Sequence, residues 1–161
     1  MKNLLRLLMI IALLTSLAGG VAACSEEADC SGTARPMLQC YLYTVNSEDG
    51  NVDKDTLETL TVTALVNDTV IINNQQKVQD LSLPLRYTAD STALVFHYPE
   101  GLSDTVVFFH ENTPYFLSMD CGYQMKQALT GVQYTRHLLD SIYVRNKEAG
   151  IYGTENIKLF Y

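Results

Sequence analysis

From residue 37 onward, apolar and polar positions alternate in short runs. In 37–45, Leu38, Cys40 and Leu42 fall in one phase, and Tyr41 and Tyr43 in the other. A period of two places alternate side chains on opposite faces, so this run predicts a strand with one buried side. The alternation is cleanest in 57–66, where Leu60, Val62, Ala64 and Val66 oppose Thr59, Thr61 and Thr63. That pattern predicts a half-buried strand with a threonine-lined wet face. Further strands are expected at 69–72, 92–98, 105–110, 115–118, 123–135, 138–144 and 157–161. The run 78–85 is apolar but carries Pro84, which suits an edge or a connection. Turn chemistry marks 46–55, Asn67-Asp68, 73–76, Pro99-Glu100-Gly101 and Asn112-Thr113-Pro114, and Gly131 suggests a bulge. No long stretch of 37–161 has helical periodicity. Many short strands between turn signals predict an all-β fold, an antiparallel β-sandwich of immunoglobulin-like or similar type, in a single domain over 37–161.

The first residues follow a different pattern. Lys2 and Arg6 precede an apolar stretch over 7–17, and small residues then lead to Val21-Ala22-Ala23-Cys24. A basic start, an apolar run and a small-residue cleavage site make a secretory signal peptide at 1–23. The stretch is too short for a convincing membrane-spanning helix. Its final Cys24 resembles the lipidation site of bacterial lipoproteins, with Val21 where Leu is more usual. Cleavage before Cys24 would leave 138 residues on a membrane anchor. Residues 24–36 read as a tether, and its acidic start, Ser25-Glu26-Glu27-Ala28-Asp29, resembles the surface-export signal of Bacteroidota lipoproteins. The expected location is therefore the outer membrane, on its periplasmic or its surface side.

Charge narrows the partners. Removing Lys2 and Arg6 leaves nine basic against eighteen acidic side chains, a formal charge of −9. With no Lys/Arg cluster, this argues against a nucleic-acid partner and against charge-driven binding to anionic lipid. Contact with the membrane is expected through the N-terminal lipid, and any other partner would be an envelope protein or glycan. If Cys24 carries lipid, Cys30, Cys40 and Cys121 remain. Cys40 sits in the apolar phase of its strand, whereas Cys30 and Cys121 lie in loop-like sequence. The expected disulfide is therefore Cys30–Cys121, closing a loop of about 90 residues and contributing roughly 4–5 kcal/mol on the chain-entropy model.

Several stretches carry a family resemblance. They are Cys30 with 36–43 (Pro-Met-Leu-Gln-Cys-Tyr-Leu-Tyr), 81–85 (Leu-Ser-Leu-Pro-Leu), 113–123 (Thr-Pro-Tyr-Phe-Leu-Ser-Met-Asp-Cys-Gly-Tyr) and 139–146. Together they resemble a family of small Bacteroidota lipoproteins known only as a domain of unknown function. The resemblance implies a secreted β-rich domain with Cys30 and Cys121 paired. It supplies no activity and no catalytic residues.

Candidate chemistry is sparse. His97, His110 and His137 fall in or beside separate strand patterns, with no nucleophile motif near them. His110-Glu111 could act as a base and an acid, but reads as a solvated strand end. No cofactor is expected, and no C-x-x-C or paired His suggests zinc. The segment Asp49-Gly50-Asn51-Val52-Asp53-Lys54-Asp55 offers alternating oxygen ligands of the kind calcium takes. Its sixth position is Lys54 and its twelfth Leu60, where a calcium loop has Gly and Glu, so it reads as an acidic hairpin loop. Asp followed by Ser or Thr and then an aliphatic residue or Thr occurs five times, at Asp55, Asp68, Asp90, Asp104 and Asp140. The pattern resembles the Bacteroidota O-glycosylation acceptor, with Thr69 and Thr105 the leading sites. Turn chemistry before a strand gives the same pattern. The expected function is a non-enzymatic binding or assembly module, with Tyr41, Tyr43 and Tyr134 offering amphipathic contacts. The alternative is a hydrolytic or carbohydrate-active accessory protein, which would need a cleft joining His97, His110 and a carboxylate.

Overall fold

A computed structural model describes Cys30 and residues 34–161. The signal peptide, Cys24 and the acidic cluster lie outside the described residues. The strands are β1 (Met37–Val45), β2 (Val52–Lys54), β3 (Leu57–Ala64), β4 (Val70–Val78), β5 (Asp80–Pro84), β6 (Ser91–His97), β7 (Ser103–Ser118), β8 (Gly122–Tyr134), β9 (Ser141–Val144) and β10 (Glu155–Phe160). They form two sheets. One runs β2-β1-β10-β9, with β5 also paired to β1, and the other runs β4-β3-β6-β7-β8. The first and last strands, β1 and β10, are parallel neighbours, while every other pair is antiparallel.

The inward phases of the two sheets meet in one core. Leu38, Cys40, Leu42, Leu81, Leu83, Ile157 and Leu159 come from the first sheet. Leu60, Val62, Leu94, Phe96, Val106, Phe108 and Leu129 come from the second. The molecule is thus the expected all-β sandwich, and the apolar phase at 38, 40 and 42 is the buried one.

Four local expectations are corrected. The loop at 46–55 contains β2, which pairs with the end of β1. The polar run at 73–76 is part of β4, not a turn. β4 is a sheet edge, so most of its side chains face water and need no apolar phase. It is bulged against β3, and Asn74 and Lys77 adopt positive φ. The strand expected over 138–144 begins only at Ser141.

Residues 103–118 form one strand of 16 residues despite Asn112-Thr113-Pro114. β6 accompanies β7 only to Phe109, so beyond that point β7 pairs with β8 alone. A proline is tolerated in a strand with an open edge. β7 and β8 therefore leave the sheet as a two-stranded ribbon. The bulge falls at Thr130, beside Gly131: Phe109 faces Gly131 and His110 faces Leu129.

Candidate functional site

The three histidines are held apart. His97 and His110 lie at opposite ends of the β6–β7 pairing, which runs from His97↔Ser103 to Ser91↔Phe109. At about 3.3 Å per residue, that separates them by roughly 20 Å. His97 pairs with Thr63 Oγ1 at 2.9 Å. His137 lies beyond β8, with its Nδ1 2.8 Å from the Ser103 carbonyl and 3.2 Å from Asp104 Oδ1. Among the described residues His97 therefore shares no cleft with His110, which lines an open depression with Asp90 and Glu111.

His110 is not the solvated strand end expected from sequence. It shares the inward phase of β7 with Asp104, Val106 and Phe108, and it is 1% exposed. Asn112 Nδ2 donates to the carbonyls of Arg86, Tyr87 and Ala89, which leaves its Oδ1 as an acceptor. That oxygen receives Gln127 Nε2 at 2.8 Å and lies 3.2 Å from His110 Nδ1. Nδ1 therefore carries the proton, and Nε2 accepts from the Thr92 hydroxyl at 2.9 Å. Thr92 Oγ1 in turn accepts the Arg86 amide. Burial pushes the His110 pKa below its ordinary value, so the ring is neutral.

Thr92, His110 and Asn112 are linked in the order of a nucleophile, a base and an orienting group. Thr92, however, is only 3% exposed and its hydroxyl already has two partners. The arrangement fastens the loop 86–90 to the root of the ribbon. It presents no nucleophile to solvent.

Asp104 is the second buried polar centre, and it is fully inaccessible. Its Oδ1 accepts from Thr135 Oγ1 and the His137 amide, each at 2.7 Å, and its Oδ2 accepts the amides of Leu138 and Leu139 at 2.9 Å. Burial alone would raise its pKa. The Leu139, Leu138 and His137 amides and the Thr135 hydroxyl outweigh burial and lower it to about 2. These bonds turn the chain from β8 toward β9, which is why β9 starts late. Asp104 stood out in the sequence only as part of an Asp-Thr-Val run. Its place in the inward phase of β7 was the sign of a buried, satisfied carboxylate.

The exposed chemistry lies elsewhere. On the outer face of the first sheet, Tyr43 stands beside Phe160 with ring centroids 5.9 Å apart. Lys158 Nζ lies 4.4 Å from the Tyr43 centroid, and Lys54 Nζ lies 5.8 Å from that of Tyr41. Tyr143 continues the face on β9 opposite Lys158. Tyr134, expected to join this set, instead faces Val106 on the second sheet and packs against the core.

The ribbon tip is apolar as well. Tyr115, Phe116, Leu117, Met119 and Tyr123 are all exposed, and Phe116 meets Tyr123 edge-on at 5.4 Å. The ribbon is held at both ends. Near its root, Ala128 bridges to Glu148, and Lys126 pairs with Glu148 at 2.8 Å. At its turn, Cys121 is disulfide-bonded to Cys30, with Cα atoms 5.6 Å apart. Cys40 is a buried free thiol whose pKa is raised by burial.

The remaining sequence candidates are dispersed. In the acidic loop, both Asp49 carboxylate oxygens take bonds from Asn51. Among the described residues no group of three or more His, Cys, Asp or Glu side chains is placed to hold a metal ion. Thr69 is exposed in the turn before β4, whereas Thr105 is half-buried within β7.

Fold and surfaces define a β-sandwich with a long, disulfide-held ribbon. The chain belongs to a family of unknown function, DUF6452, whose pattern matches residues 59–161. No curated protein and no solved structure matches it.

Proposed function

We propose that the chain is a lipid-anchored lipoprotein of the Bacteroidota outer membrane that acts as a non-enzymatic binding or assembly module. Cys24 carries the lipid, and the sandwich stands on its tether at the periplasmic or surface side. The ligand surface is the outer face of the first sheet. The observation carrying this reading is the in-register set Tyr41, Tyr43, Tyr143 and Phe160, flanked by Lys54 and Lys158. Aromatic rings beside ammonium groups suit the C–H faces and acidic groups of an envelope glycan, or the side chains of an envelope protein. The hydrolytic alternative would require uncovering Thr92 and His110. Of the two leading glycosylation sites, Thr69 is the accessible one, and the sugar is assigned there.

A photo-crosslinking side chain placed at Tyr143 in the native host tests the ligand face. A discrete adduct at 143, absent when the same group replaces exposed Val66, is expected. Equal labelling at both positions, or none at either, would contradict the assignment.

A further inference from the structure

The ribbon tip is apolar on both faces and has no sheet mate among the described residues. Pairing places Phe116 opposite Tyr123 on one face, while Tyr115 and Leu117 share the other. Met119, in the turn, is 89% exposed and Tyr123 is 74% exposed. Residues 112–125 hold a single charge, Asp120, in a chain that is 18% charged. A contiguous exposed apolar patch of this kind marks an interaction surface.

The covalent connections fix which surface covers it. Cys121, at the turn, is bonded to Cys30. Cys24 lies six residues before Cys30. At no more than about 3.5 Å per residue, those residues span at most roughly 21 Å. β7 alone, from Ser103 to Ser118, extends about 50 Å at strand rise. The tether is therefore too short to let the far end of the molecule face the anchor while the tip faces away. The disulfide keeps the aromatic end within that reach of Cys24.

We infer that the tip of the β7–β8 ribbon, with Phe116, Met119 and Tyr123 foremost, rests in the headgroup layer of the membrane that Cys24 is anchored to. This rests on the lipid-anchor reading of Cys24. Tyr and Phe are suited to that layer, where rings meet acyl chains and a phenol stays wet. Asp120 stays at headgroup depth. The acidic charge of the chain makes the contact apolar rather than electrostatic, so zwitterionic lipid suffices. The lipid and the tip then form two attachments, and together they set the orientation of the sandwich.

The chain lacks Trp, so Tyr123→Trp and Leu102→Trp each introduce a single tryptophan that can be excited apart from the tyrosines, one at the tip and one at the opposite end of β7. Both positions are exposed, so neither substitution disturbs the core. Acylation of each protein at Cys24 is first confirmed by intact mass. Each is then reconstituted into phosphatidylcholine vesicles with brominated acyl chains. Loss of emission is expected at 123, with emission at 102 unchanged. Acylated protein with equal quenching at the two positions, or none at 123, would overturn the inference and leave the tip free for a protein partner. Absence of acyl mass would overturn the anchor on which it rests.

Discussion

Asp104 and His110 share one strand phase and solve the same problem, a polar group facing an apolar core. Asp104 meets four strong donors and stays ionised. Asp104→Asn would put an amide donor against backbone N–H groups, and should cost about 2–4 kcal/mol in urea denaturation at neutral pH. Its pKa is lowered on folding, so its contribution is complete above the ordinary value of 3.8 and lost as pH falls toward about 2. The difference between the natural and variant chains should therefore shrink in that window. The His110 pKa is also lowered by burial, so holding its ring neutral costs nothing above pH 6.5 and costs increasing stability below it. Melting temperature should fall between pH 7 and pH 5, and fall less in His110→Gln. The alternation through 104, 106, 108 and 110 carries both residues inward, but the adjacent Glu111 made His110 read as a solvated strand end, and Asp104 lay outside the strand expected over 105–110. Thr135, which bonds Asp104, and Gln127, which bonds Asn112, were not legible, because a hydrogen-bond partner 15 to 31 residues away leaves no local trace.

At the scale of elements, strands with a clean period of two were readable and the exceptions share one cause. β1, β3 and β6 face the core on one side, and burial imposes alternation on them. β2, β4 and the outer half of β7 lie at edges or beyond the sheet, where nothing imposes it. Pro114 reads as a break only if the strand has neighbours on both sides. The Cys30–Cys121 pairing was legible from the placement of Cys40 in an apolar phase, whereas the ribbon it holds was not. Beyond its bridge to Glu148 the ribbon has no further strand partner among the described residues, so the disulfide is its main restraint at the tip. In the Cys30→Ser, Cys121→Ser variant, amide exchange should accelerate across 113–124 while β1 and β10 stay protected. Global stability should fall by roughly 2–5 kcal/mol. Equal acceleration throughout both sheets would instead mean that the ribbon and the sandwich open as one unit.

For the whole molecule, the parallel pairing of β1 with β10 brings the N-terminal strand beside the C-terminal one and closes the first sheet. The family match begins inside β3, yet β1 lies at the centre of the first sheet and Cys30 reaches the ribbon turn. The folding unit therefore extends beyond the matched region. The proposed anchor, the aromatic sheet face and the apolar ribbon tip together describe one arrangement at a membrane. All of it depends on what Cys24 carries. The deciding measurement is the intact mass of the protein from native envelope membranes, before and after reduction. The account predicts the mass of the 24–161 polypeptide plus acyl groups, with a gain of two hydrogens on reduction. An uncleaved chain, or a bare chain beginning at Cys24 or Ser25, with no change on reduction, would contradict it.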